Sequence, residues 1–183
     1  RYGDAISYDG GYYVFVHGKL YKLDKESRYS LVSESPWFME WTSELQIIDG
    51  ELYVVGGLTD VEDGTNQVVI YNFSTDEWRL GAPLNRGRYG AASAVVHGKI
   101  YVFGGGYGGD TVELFDPTIG SWTYLANRSG FGLFFDTATS VGRYINVFVT
   151  NIQDNANVLR FDTQMGSWAK YSLSVSSSSY QDS

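Results

Sequence analysis

A phrase recurs four times along this chain: a turn glycine, an aromatic-rich strand, then a second strand that closes near an aromatic residue. The clearest copy is AASAVVHGKIYVFGG (Ala91–Gly105), continued by TVELFDPTIGSW (Thr111–Trp122). Leu45–Gly57 with Val68–Trp78 repeats it, as does Thr137–Thr150 with Val158–Trp168. The turn glycines Gly10, Gly50, Gly98 and Gly142 lie 40, 48 and 44 residues apart, and Trp78, Trp122 and Trp168 keep step at 44 and 46. Short strands at a period of roughly 40–50 residues predict β-propeller blades and not a helical solenoid. The expected fold is therefore all-β, with four-stranded antiparallel blades. Four are visible, as part of a larger ring.

The blades are expected at about 1–36, 37–84, 85–130 and 131–173, with a flexible Ser-rich tail over 174–183. The first copy is the weakest, and Tyr29 stands in its tryptophan place. Within each unit a glycine near the first turn supplies the positive φ that a two-residue hairpin demands. The opening Arg1-Tyr2-Gly3 matches Arg88-Tyr89-Gly90 ahead of the third unit, so the chain reads as a piece trimmed at a repeat boundary.

A formal charge of −8 repels a nucleic-acid backbone, so no nucleic-acid partner is expected. No apolar run reaches the ~18–20 residues of a membrane-spanning helix, so no membrane insertion is expected. The absence of cysteine removes disulfides, thiolate zinc sites and a cysteine nucleophile.

The two central units resemble kelch repeats. Gly56-Gly57, Tyr71 and Trp78 match the signature in full; Gly104-Gly105 and Trp122 match it with Phe115 in the tyrosine place. The fourth unit keeps Phe161 and Trp168 but has Val149-Thr150 where the glycines belong. The resemblance implies that these glycines and tryptophans are structural. The glycines end strand 2 where neighbouring blades crowd the channel, and the large rings fill blade contacts. It also implies a non-catalytic protein-interaction module, by analogy the substrate-recognition part of a ubiquitin-ligase adaptor, in the cytoplasm. The alternative is a secreted, extracellular or structural kelch protein that self-associates.

Antiparallel order places the strand 2–3 and strand 4–1 loops on one face, the one that such proteins commonly offer to a protein or peptide partner. Arg86, Arg88, Tyr89, Tyr107, Trp37, Asp60 and Asp63 are the candidate contacts there. Arginine and exposed aromatics dominate interface energetics, and Arg86 and Arg88 would pair acidic groups. Asp60, Glu62 and Asp63 read as a solvated acidic loop in preference to a calcium site. No metal, cofactor or catalytic residue is expected. A galactose-oxidase-like enzyme, the remote alternative, needs a cysteine-crosslinked tyrosine and copper-ligating histidines, whereas His17 and His97 fall in hairpin turns. Asn72-Phe73-Ser74 and Asn127-Arg128-Ser129 are candidate glycosylation sequons.

Overall fold

The computed structural model describes residues 4–26, 28–37, 39, 42–59, 64–106, 108–109, 111–127, 137–150 and 156–172. They form sixteen strands in four antiparallel sheets. The first sheet contains β1 (Asp4–Tyr8), β2 (Gly11–Val16), β3 (Lys19–Leu23) and β4 (Tyr29–Glu34). The second contains β5 (Glu44–Ile48), β6 (Glu51–Val55), β7 (Val68–Asn72) and β8 (Glu77–Leu80). In the third are β9 (Ala92–Val96), β10 (Lys99–Phe103), β11 (Thr111–Asp116) and β12 (Ser121–Asn127). The fourth has β13 (Thr137–Val141), β14 (Tyr144–Thr150), β15 (Ala156–Asp162) and β16 (Ser167–Ser172). In every sheet the strands pair in sequence order, as propeller blades do. We number the blades 1 to 4.

The first turn of each blade is chemically determined. Asp9-Gly10, Asp49-Gly50 and His97-Gly98 all hold positive φ at both residues, the conformation that a two-residue hairpin requires. Blade 4 departs from the even spacing of its glycine. Val141 pairs with Tyr144, so Gly142 is the first turn residue and not the second. Its strands are consequently offset by one residue, and Ile145, not Tyr144, takes the place of Ile100.

The turn between strands 3 and 4 is capped by one carboxylate or amide per blade. Glu26 N, Ser74 N, Thr118 N and Gln164 N donate to Asp24, Asn72, Asp116 and Asp162 at 2.8–3.0 Å. This is the Asx turn, in which a short polar side chain stands in for a backbone acceptor. Asp116 carries two further bonds, from Lys99 Nζ at 2.6 Å and Thr118 Oγ1 at 2.6 Å. Lys99 first, then Thr118, holds its carboxyl down to about 2 from the usual 3.8. A depressed folded value contributes stability that is fully present above about pH 4. That contribution is lost as pH falls towards 2. Asp116→Asn is thus expected to lower Tm at pH 6 and to leave it unchanged near pH 2. Thermal melts across that range check this.

The core lies between blades. Tyr13, Phe15 and Leu20 of blade 1 pack on Leu52, Val54, Val69 and Tyr71 of blade 2. The opposite face of blade 2 meets Ile100, Val102, Phe115 and Trp122 of blade 3. Phe103 and Val112 of blade 3 meet Ile145, Val147, Leu159 and Phe161 of blade 4. Each signature aromatic faces its tryptophan across the strand pair: Tyr71 and Trp78 at 4.9 Å, Phe115 and Trp122 at 5.2 Å, Phe161 and Trp168 at 4.9 Å between ring centroids. The first strands line a polar channel through Asp4, Ser7, Glu44, Gln46, Ser93 and Thr139. Within it Ser93 donates to Glu44 (2.9 Å) and accepts from Gln46 (2.8 Å). Among the described residues no helix is long and apolar enough to cross a membrane.

Candidate functional site

The loop face is built around one connection, residues 81–91, that carries the chain from blade 2 to blade 3. Backbone bonds tie this connection on both sides. Leu84 N donates to Asn66 O (2.8 Å), Arg88 N to Thr65 O (3.0 Å), and Gly57 N to Arg88 O (2.8 Å). On the blade 3 side, Gly106 N donates to Tyr89 O at 2.9 Å. The connection is therefore held between the strand 2–3 loops of two blades.

This clamping explains the double glycines. A Cβ on Gly56 would lie 2.6 Å from Arg88 O, and one on Gly105 would lie 2.8 Å from Tyr89 O. The crowding that excludes a side chain comes from the backbone of the 81–91 connection and not from the channel, where the sequence had located it. Both glycines also hold positive φ, at 65° and 89°. Gly57 and Gly104 share the positive φ.

Arg88 requires a correction. Expected as a partner contact, it is only 1% exposed. Its Nη1 donates to Gly104 O (2.7 Å), and its Nη2 donates to Thr111 Oγ1 (3.1 Å) and forms an ion pair with Glu113. The fully buried Glu113 also accepts Asn85 N at 2.7 Å and Asn85 Nδ2 at 2.9 Å. Burial pushes the Arg88 guanidinium below its ordinary value, and Glu113 opposes that shift. The side chain is thus a strut joining the connection to β11, because a buried cation is tolerated only when paired and hydrogen-bonded.

The remaining candidates separate cleanly. Arg86 is exposed on the open side of the connection, and a Cβ on Gly109 would be 3.9 Å from its Nη1. Tyr89 is half-buried, with its ring laid against Gly106, where a Cβ would meet Cε1 at 2.3 Å. Trp37 is also half-buried and packs on the blade 1–blade 2 core. Its backbone is fixed by Ser35 Oγ (Trp37 N to Oγ, 3.1 Å), and its carbonyl sits over the His17-Gly18 turn. Tyr107, Asp60 and Asp63 lie outside the described residues, as does Glu62. Among the described residues no three metal-ligating side chains cluster.

Asn72 owes its place to the turn. Its Oδ1 accepts Ser74 N (2.9 Å), Ser74 Oγ (2.6 Å) and Thr75 N (3.2 Å), just as Asp116 accepts Thr118 N and Oγ1. The residue pattern of the sequon is therefore also the pattern that an Asx turn selects. Asn127 ends β12, and its sequon continues into residues outside the described set. Glu113, Asn85 and Thr111 were missed by sequence reading. A glutamate on the same strand face as Phe115 was the available signal, since a charge on a core-facing position calls for a buried partner.

A kelch motif model matches residues 45–85 and 87–129. A putative F-box/kelch-repeat protein of Arabidopsis thaliana is 34% identical over 111 residues, covering 57% of this chain and 45% of that protein. Kelch-like protein 23 of Mus musculus is 29% identical over 123 residues, covering 64% of this chain and 22% of its own length. The chain thus spans less than half of either relative. The solved structure of YjhT superposes with a TM-score of 0.77 at 19% identity, over 97% of this chain and 66% of that one. With the repeat signature and these matches together, residues 45–85 and 87–129 are kelch repeats, set in a β-propeller fold of four in-order blades.

Proposed function

We propose that this chain is a non-catalytic protein-interaction propeller whose loop face takes an acidic peptide segment, with Arg86 as its cationic contact. One observation carries the reading: an exposed guanidinium on a connection clamped by backbone bonds from two blades. Binding groups on a rigid scaffold lose little freedom when a partner docks, and arginine pairs carboxylates with two parallel bonds. The names of the F-box/kelch and kelch-like relatives support a role as the recognition part of a ubiquitin-ligase adaptor.

Screening a library of acidic peptides against the protein tests the first step. Arg86→Ala should weaken the best binder by about 1.5–3 kcal/mol, the usual value of a hydrogen bond to a charged group. Stability should move by less than about 0.5 kcal/mol, as for an exposed site. Undiminished binding by Arg86→Ala would remove Arg86 from the site. Co-purification with ubiquitin-ligase subunits tests the adaptor role separately.

A further inference from the structure

Blade 3 alone among the four places a charge in the middle of its third strand. Strand 2 of each blade offers a valine there, Val14, Val54, Val102 and Val147, and the residues paired with them are Tyr21, Val69, Glu113 and Leu159. Val69 and Leu159 are as deeply buried as Glu113, at most 1% exposed, so the blade scaffold is built at this position without a carboxylate. A buried ion pair is in general no more stabilising than apolar residues of similar volume, because taking two charges out of water offsets their attraction. The Arg88–Glu113 pair therefore calls for a reason other than the fold of blade 3.

The bonds of Glu113 supply one. Its Oε2 accepts Asn85 N (2.7 Å) and Asn85 Nδ2 (2.9 Å), and its Oε1 pairs with Arg88. Asn85 Nδ2 donates in addition to Trp122 O at 3.1 Å. One buried carboxylate thus grips the connection at positions 85 and 88, on either side of Arg86 and Gly87. Gly87 is itself pressed on the blade 2 loop, where a Cβ would lie 2.3 Å from Gly64 O. Arg86, between these fixed points, is exposed and forms no hydrogen bond or ion pair among the described residues.

We propose that Glu113 is a positioning residue for the Arg86 contact: by gripping Asn85 and Arg88 it holds the guanidinium out on the loop face, where a carboxylate of the partner meets it. This role presupposes Arg86 as the contact for an acidic peptide. Arg88 and Glu113 cancel each other's charge, so the connection is anchored without a competing anion or cation beside Arg86. A binding group fixed before the partner arrives loses little freedom on docking, and that avoided loss is what Glu113 contributes to affinity.

Fluorescence anisotropy with the best binder of the acidic-peptide screen, run beside urea unfolding, tests this. Arg88→Met with Glu113→Leu leaves the net charge unchanged, so long-range attraction to the peptide is unchanged. It is expected to keep most of the stability and yet to weaken binding about three- to tenfold, the factor for ordering one long side chain on docking. Asn85→Ala cuts one anchor at an exposed position, keeps the ion pair, and should weaken binding about threefold while the protein remains folded. In an Arg86→Ala background neither change should weaken binding further, whereas a merely structural role would add its loss in any background. Should the paired replacement fail to fold, Asn85→Ala decides alone. Unchanged affinity in either folded variant, or a full further loss on top of Arg86→Ala, would overturn the positioning role. Unchanged affinity for Arg86→Ala itself would instead remove Arg86 as the contact, and the positioning role with it.

Discussion

Arg88→Ala is expected to destabilise the protein by about 3–5 kcal/mol, the usual consequence of deleting one partner of a buried ion pair. Truncation removes the donors to Gly104 O and Thr111 Oγ1 and strands Glu113, a fully buried carboxylate left, among the described residues, with Asn85 as its donor. The size of the effect comes from that stranded charge and not from the attraction lost. Replacing both partners together, as Arg88→Met with Glu113→Leu, should therefore recover most of the loss. Urea unfolding of these two variants beside the unsubstituted protein measures this directly. A loss below about 1 kcal/mol for Arg88→Ala would instead return the side chain to solvent.

Trp122→Ala is expected to cost about 3–5 kcal/mol, the range for truncating a large buried aromatic. Trp122 packs at a tilt against Phe115 within blade 3, fills the contact with blade 2, and donates its Nε1–H to Ala82 O. Its removal loosens two blades at once. Trp122→Phe keeps most of the ring and loses only the donor, so about 1 kcal/mol is expected. Equal losses for both substitutions would locate the value of this residue in the hydrogen bond and not in packing.

Periodicity made the blades legible because each turn needs a particular backbone conformation and only a few residues supply it. Asp-Gly and His-Gly mark the hairpins at Gly10, Gly50 and Gly98 for that reason. Gly142 marks its hairpin as well, from the first turn position, since a turn with glycine first is as acceptable as one with glycine second. The signature glycines were legible as sites of crowding, but the atoms that crowd them belong to a connection some 30 residues on or 15 back, which spacing does not encode. Arg88 was misplaced for a similar reason. Its partner Glu113 sits 25 residues away on another strand, and an arginine in a loop otherwise reads as solvent-facing. Arg86, two residues earlier, lies on the open side of the same connection. Strand alternation would put these two, at i and i+2, on one face; the tertiary bonds that clamp the connection separate them instead.

Backbone amide chemical-shift mapping with the tightest acidic peptide tests the interaction role most directly. Shifts concentrated at Asn66, Arg86, Tyr89, Gly108 and Gly109 are the expected result, because these residues surround the clamped connection on one face. Shifts concentrated instead at the opposite turns, around Asp9, Asp49 and His97, would contradict it and move the binding surface to the other side of the propeller.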